Sequence, residues 1–325
     1  MSRCLFCLKD FPDEQMTDEH AFLAALGGDL KFKNGSCKSC NNGFSNQFEQ
    51  TIAKHFVHFR YLLLIPNRRG KVPECYIKVE ADGEQLEAKL LPDGTAQLKP
   101  IVKKIEKDGV TEIVHQHATE KQVSELRKKA KEEGLHLIEE RSPGQQVEVN
   151  ISGDLKFIDS PELLRAVTKT SYTVLALRMG RNFATRDIFD AARNYIKMGS
   201  GNPKARLFLH EGYMQACQYG PHQHAVILAG TNNRRSIDAI VRLFGGLSYF
   251  VNLSDDYEGA DFFNTLPYDA QRGKEDKLLY GHEQAELLQI EDVRTSKETV
   301  WNDRVSSGAW FLKFFGVALK AEIHE

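Results

Sequence analysis

Two Cys-x-x-Cys pairs, Cys4/Cys7 and Cys37/Cys40, constrain this chain more than any other feature. Four thiolates at that spacing predict a tetrahedral structural Zn2+ in a treble-clef or ribbon arrangement. The competing reading, two disulfides, requires an oxidising compartment. The opening Met1-Ser2-Arg3-Cys4 has no apolar signal segment, so a cytoplasmic zinc site is expected. Cys75 and Cys217 stand apart from the pairs and read as ordinary small buried residues.

The chain has 325 residues, 41% hydrophobic and 10% aromatic, enough for one large core or two moderate ones. Its longest aliphatic run, Leu62-Leu63-Leu64-Ile65, is far short of a membrane span, so no membrane partner is expected. A net charge of -2 and a pI near 6.6 mean that any nucleic-acid contact must come from local patches. One basic patch runs through Lys54, His55, His58, Arg60, Arg68, Arg69 and Lys71; of these, Arg68, Arg69 and Lys71 are the nucleic-acid contacts expected. A second runs through Lys169, Arg178, Arg181, Arg186, Arg193, Lys197, Lys204 and Arg206. For either patch a solvated charged face is an equal alternative.

Three zones are expected, at residues 1–66, 67–158 and 159–325. The first holds the cysteine pairs and then a helix starting near Asn41, with Phe44, Phe48, Ile52 and Phe56 at helical spacing. Pro66-Asn67-Arg68-Arg69-Gly70 breaks the chain. The second zone reads as hairpins, with alternating runs at 76–80 and 86–90 punctuated by Asp82-Gly83 and Asp93-Gly94, and with a lone helix at about 119–133. The third opens with Ser160 as cap and Pro161 in the first turn of a helix lasting to Gly180, followed by a helix from Thr185 to about Met198. Apolar strands at 225–229 and 247–251 then flank an expected helix over 236–244, and an acidic stretch from 254 to 292 reads as solvated surface. The fold class is therefore α+β: a zinc-stabilised N-terminal module followed by a larger mixed α/β region.

The cysteine pairs enclose Asp18-Glu19-His20 and Gly27-Gly28 and lead directly into Asn41-Asn42. Phosphodiester cleavage with one metal ion needs a base to activate water, a cation at the leaving oxygen and a scaffold to fix both. A neutral imidazole suits the first task, which points to His20. A hard ion such as Mg2+ prefers oxygen ligands and keeps several waters, and Glu19 and Asn41 offer such oxygens. Ser45 and Glu49 follow on the same helix face. Glu49 is either a further ligand or a solvated carboxylate, and Ser45 is expected to be structural.

In order, these residues resemble the zinc-knuckle type of HNH endonuclease module, over about residues 1–58. The resemblance implies a ββα-metal fold, treble-clef-like, with one catalytic Mg2+ or Mn2+ and DNA, rather than RNA, as substrate. It implies His20 as general base, Glu19 as acidic ligand, Asn41 as helix ligand and Asn34 as the residue that orients the base. Two departures stand out: Asn34 lies closer to Cys37 than is usual, and Ala21-Phe22-Leu23-Ala24 replaces the usual isoleucine-proline.

The pairs His115/His117 and His222/His224 could each present two imidazoles on one strand face, but neither has a carboxylate or cysteine cluster nearby. Phosphate-loop, dinucleotide and nucleophile-elbow motifs are absent from the sequence. The region beyond the module carries no readable chemistry and is expected to position substrate, mediate homodimerisation, or sense a regulatory ligand or protein partner. By analogy alone, the architecture resembles that of bacterial defence effectors. The alternative function is a non-catalytic zinc-knuckle module that binds nucleic acid or protein.

Overall fold

The computed structural model describes residues 1–67, 70–81, 84–91, 95–98, 101–107, 110–116, 120–133, 136–139, 146–148, 155–201, 203–208 and 220–276. The chain opens with a short antiparallel pair, β1 (Ser2–Arg3) and β2 (Asp10–Phe11), followed by the hairpin β3 (Met16–His20) and β4 (Lys31–Cys37). Helix α1 (Lys38–Phe44) passes through a π-helical turn, Ser45–Glu49, into α2 (Gln50–Leu62). The helix thus begins one turn before the expected start, because the Cys37 sulfur accepts the Cys40 N–H at 3.5 Å and caps it. Phe44, Phe48, Ile52 and Phe56 are all buried, as their spacing predicts.

Between β3 and β4 the chain reverses through Gly27-Gly28. Gly27 adopts φ 91°, and a Cβ on Gly28 would lie 2.0 Å from the Phe22 carbonyl oxygen, so no larger residue fits there. After α2, Gly70 (φ 72°) donates to the Asn67 carbonyl and closes the turn expected after Pro66.

Packing separates the chain into two units, Met1–Pro73 with Gly153–Ala318 and Glu74–Ser152. In the second, β5 (Tyr76–Ala81), β6 (Glu84–Leu90) and β7 (Thr95–Leu98) form successive hairpins, and β8 (Ile101–Lys107) pairs antiparallel with β9 (Val110–Gln116). Helix α3 (Glu120–Glu133) then crosses over to β10 (His136–Glu139), which runs parallel to β9. The crossover explains the helix inside a run of hairpins: parallel neighbours need a long connection. A last strand, β11 (Gln146–Glu148), pairs with β7. Cys75 is buried, with its thiol pushed up to about 11 by burial.

Returning to the first unit, α4 (Pro161–Met179) starts at the expected cap, where the Ser160 hydroxyl accepts the Leu163 N–H at 3.2 Å. Residues from Leu163 to Ala176 are buried apart from Leu164, so α4 is central rather than amphipathic. The short helix α5 (Arg181–Ala184) and α6 (Asp190–Met198) follow.

A six-stranded antiparallel sheet completes the unit: β12 (Ala205–Phe208), β13 (Gln223–Thr231), β14 (Ser236–Leu243), β15 (Leu247–Ser254), β16 (Phe262–Asp269) and β17 (Lys274–Glu275), in the order β12-β15-β14-β13-β16-β17. The helix expected over 236–244 is instead strand β14, and the strand–helix–strand unit is an antiparallel meander. Both faces of the sheet are covered: Ile237, Ala239 and Val241 join the main core, while Ile240 packs with Ile227, Ala229 and Phe250 on the other side. A doubly buried strand reads as a continuous apolar run, which periodicity alone does not separate from a buried helix. One core embraces Phe6, Phe22, Phe48 and Phe56 of the N-terminal segment together with Val167, Tyr172 and Tyr249.

Candidate functional site

The four sulfurs of Cys4, Cys7, Cys37 and Cys40 lie within 4.8 Å of one another, and Cys7 and Cys37 are 3.9 Å apart. A tetrahedral zinc with metal–sulfur bonds of about 2.3 Å requires sulfurs roughly 3.8 Å apart. The Cys37 N–H points at the Cys4 sulfur at 3.3 Å, and the Cys40 N–H at that of Cys37, as suits thiolates. Crowding splits the group: the hydrogen bond from Cys40 helps lower Cys4 to about 5, while Cys40 is pushed up. A cation among the sulfurs would relieve that repulsion, so the donor set fits zinc, with Cys4, Cys7, Cys37 and Cys40 as its ligands.

Beside this cluster, Glu19 and His20 end strand β3. Neighbouring strand residues project to opposite faces. Glu19 is accordingly buried, at 1% exposure, and His20 is half-buried. Opposite them, β4 bulges between the Thr17 and Glu19 pairings. Asn34 sits in the bulge at φ 52°, its N–H bonded to the Asp18 carboxylate at 3.0 Å. Asparagine tolerates that left-handed conformation better than most residues, which gives Asn34 a local structural reason in addition to the one the resemblance implies.

Glu49 closes the π-helical turn, a local irregularity common at functional sites. It points not to bulk solvent but to Lys169 of α4, whose ammonium lies 2.6 Å from Glu49 Oε1 and contacts Glu19 Oε1 as well. The structure thus brings Glu19, Glu49 and Lys169 together. Asn41 is half-buried as the fourth residue of α1, and the helix cap belongs to Cys37. Burial raises the Glu19 carboxyl against the pull of Lys169 and Ser36. Burial also works against the charge of Lys169, but Glu19 and Glu49 outweigh it and hold the ammonium above its usual range. One ammonium serving two carboxylates favours the charged group over neutral partners.

Glu19 Oε2 is buried without a hydrogen-bond partner among the described residues. Two converging carboxylates, one with an idle oxygen, are the donor chemistry a hard divalent cation takes. Glu19 and Glu49 therefore fit such an ion, and in this structure Lys169 lies against both. Ser45 and Glu49 also line a cavity of about 450 Å³, together with Ala24, Ala25, Gln50, Ala53, Arg60 and Asn67.

Sequence reasoning missed Lys169, which it placed in a surface patch. That second patch is not one continuous surface: Lys169 and Arg193 are buried, Arg178 pairs with Glu275 at 2.6 Å, and the Arg181 guanidinium is spent on the carbonyls of Arg3, Lys33 and Asn34, while Arg186 and Arg206 are exposed. In the first patch, Arg60 donates to the carbonyls of Ala25 and Pro66, and His55 stacks on Phe157 at 5.0 Å. Lys71 is exposed; Arg68 and Arg69 lie outside the described residues. His224 is no metal ligand, because its Nδ1 accepts the Phe244 N–H and its Nε2 faces the Leu26 carbonyl, each at 2.9 Å. His117 and Cys217 lie outside the described residues.

The elements beyond residue 155 grip the module on two sides. Arg165 donates to Gln47 Oε1 at 2.6 Å in the π-helical turn, and the Tyr172 hydroxyl sits between the carbonyls of Leu5 (2.9 Å) and Ala184 (2.6 Å). On the other side Phe22, which occupies the place of the usual isoleucine-proline, stacks on Tyr268 at 5.1 Å, and the Tyr268 hydroxyl donates to the Gly27 carbonyl.

A hairpin and a helix joined at a four-cysteine cluster define the class, a ββα module carrying its candidate residues at the end of the first strand and on the helix. Residues 4–57 match the family model described as HNH endonuclease. No curated protein matches the chain, and no solved structure does. No helix among the described residues is long and apolar enough to cross a membrane.

Proposed function

We propose that the chain is a divalent-metal-dependent endonuclease that hydrolyses phosphodiester bonds in DNA. The observation that carries the reading is the order Glu19-His20 at the end of β3, with Glu19 joined through Lys169 to Glu49 of the following helix, within the segment that matches the HNH family. His20, half-buried at the strand end, takes the proton from the attacking water. Glu19 and Asn41 hold the Mg2+ or Mn2+, Glu49 joins them, and Asn34 orients His20. When bound, the ion supplies charge stabilisation at the phosphoryl group and the leaving oxygen. Arg68, Arg69 and Lys71, just past α2, supply electrostatic contacts to the DNA backbone.

A second reading has a specific observation behind it: Lys169 already pairs with both the Glu19 and Glu49 carboxylates, as a zinc module kept only for binding would tolerate. Nicking of supercoiled plasmid by the purified full chain, with and without chelator and beside His20→Ala, separates the two. Cleavage that requires a divalent ion and is lost in His20→Ala, with zinc content and DNA affinity retained, supports the nuclease. Cleavage that survives the substitution or never needs the ion removes this mechanism. A role in defence rests on the analogy of architecture, and an infection assay with the His20→Ala strain addresses it.

A further inference from the structure

Lys169 is the largest departure from what the module's own sequence contains. It comes from outside the family-matched segment, its side chain is 2% exposed, and its ammonium lies over the Phe44 ring at 5.4 Å while contacting Glu19 and Glu49. Burying an ammonium costs several kcal/mol unless charge partners repay it, and here two carboxylates do so. With both ionised, the group carries one uncompensated negative charge, and Glu19 Oε2 remains idle. One turn earlier on α4, Arg165 holds Gln47 Oε1 and the carbonyls of Ile196 and Lys197, so the helix is pinned against the π-helical turn while the Lys169 side chain keeps its own rotatable bonds.

We propose that Lys169 is a positioning residue acting as an internal cation: it gathers Glu19 and Glu49 at one point and competes with a divalent ion for that point. The inference rests on the reading of Glu19 as a metal-facing carboxylate. A divalent ion that replaces the ammonium between two carboxylates leaves a neutral site, whereas one added beside it leaves an excess positive charge in a buried place, so loading requires Lys169 to withdraw. Helix α4 thereby sets the metal affinity of a site whose other members all lie in the N-terminal segment.

The test is calorimetric titration of Mn2+ into the zinc-loaded full chain, for wild type, Lys169→Met and Lys169→Arg, with Mn2+-induced thermal shift as a second readout. Lys169→Met is expected to bind Mn2+ at least tenfold more tightly than wild type, and Lys169→Arg to return to weak binding. A purely structural lysine would not raise affinity when removed. If Lys169→Met does not fold alone, its folding on addition of Mn2+ supports the proposal equally, and Lys169→Gln, which keeps a hydrogen-bond donor without the charge, repeats the affinity comparison. Equal Mn2+ affinity in wild type and the uncharged variants overturns the competition while leaving the nuclease reading intact. Absence of Mn2+ binding in every protein, with nicking that needs no divalent ion, overturns both.

Discussion

A Cβ placed on Gly35 would stand 2.6 Å from the Cβ of Glu19 across the β3–β4 hairpin. Glycine at that position is what lets the buried carboxylate lie flat against the opposite strand. Gly35→Ala should therefore displace Glu19 or spread the hairpin, costing about 1–3 kcal/mol as overpacking. Urea unfolding reads the stability loss, and plasmid nicking should fall with it. Wild-type stability in Gly35→Ala would mean that the bulge relaxes freely.

The cysteine cluster should hold one zinc per chain. Because metal binding is folding free energy in such sites, Cys37→Ser opens the tetrahedron and should leave the N-terminal segment unfolded or aggregated even though serine can still cap α1. Metal analysis of the folded protein checks the stoichiometry. A folded wild type without bound zinc or iron would refute the assignment.

Asn41 gives a graded test. Cys37, not Asn41, caps the helix, so Asn41→Ala should cost little stability, within about 0.5 kcal/mol, asparagine being a poorer helix former than alanine. As a metal ligand, however, its loss should reduce nicking and be partly recovered at high Mg2+ or Mn2+. Activity that is unchanged at limiting metal would remove Asn41 from the ligand set.

Acid should loosen the sheet through His224. Complete burial lowers its pKa to about 4, whereas the unfolded chain protonates near 6.5. The unfolded state therefore binds more protons between those values. The stabilisation is intact above pH 6.5 and is lost at up to about 1.4 kcal/mol per pH unit as pH falls towards 4. Protonation of the cysteine cluster would also release the proposed zinc in acid, so the measurement is the difference between wild type and His224→Gln from pH 7.5 to 4.5. The variant should start less stable and show the shallower slope; parallel slopes would assign the acid sensitivity elsewhere.

The four-cysteine cluster and the helix behind it were legible because cysteine spacing and the Phe44, Phe48, Ile52, Phe56 series are local signals. So was α4, from Ser160 and Pro161. Strand β14 was not, because burial on both faces erases alternation; the better signal was the turn at Phe244-Gly245, where both residues take positive φ and the Gly246 N–H returns to Leu243 in hairpin fashion. Lys169 was invisible for a different reason. A lysine in a helix reads as surface until its partners are known, and Glu19 lies 150 positions earlier in the chain. The buried stretch from Thr168 to Thr173 on α4, polar yet internal, is the trace it left.

The grip of Tyr268 on Gly27 and Asp29 spans some 240 residues of chain. During synthesis, the loop that follows His20 therefore waits for the sixteenth strand to leave the ribosome before its last hydrogen bonds can form, since contacts of such long sequence separation close late. A prematurely terminated product that stops anywhere short of β16 retains the whole family-matched segment yet lacks the clasp on that loop. For the nuclease proposed above, this would tie the finished shape of the candidate site to the completion of translation.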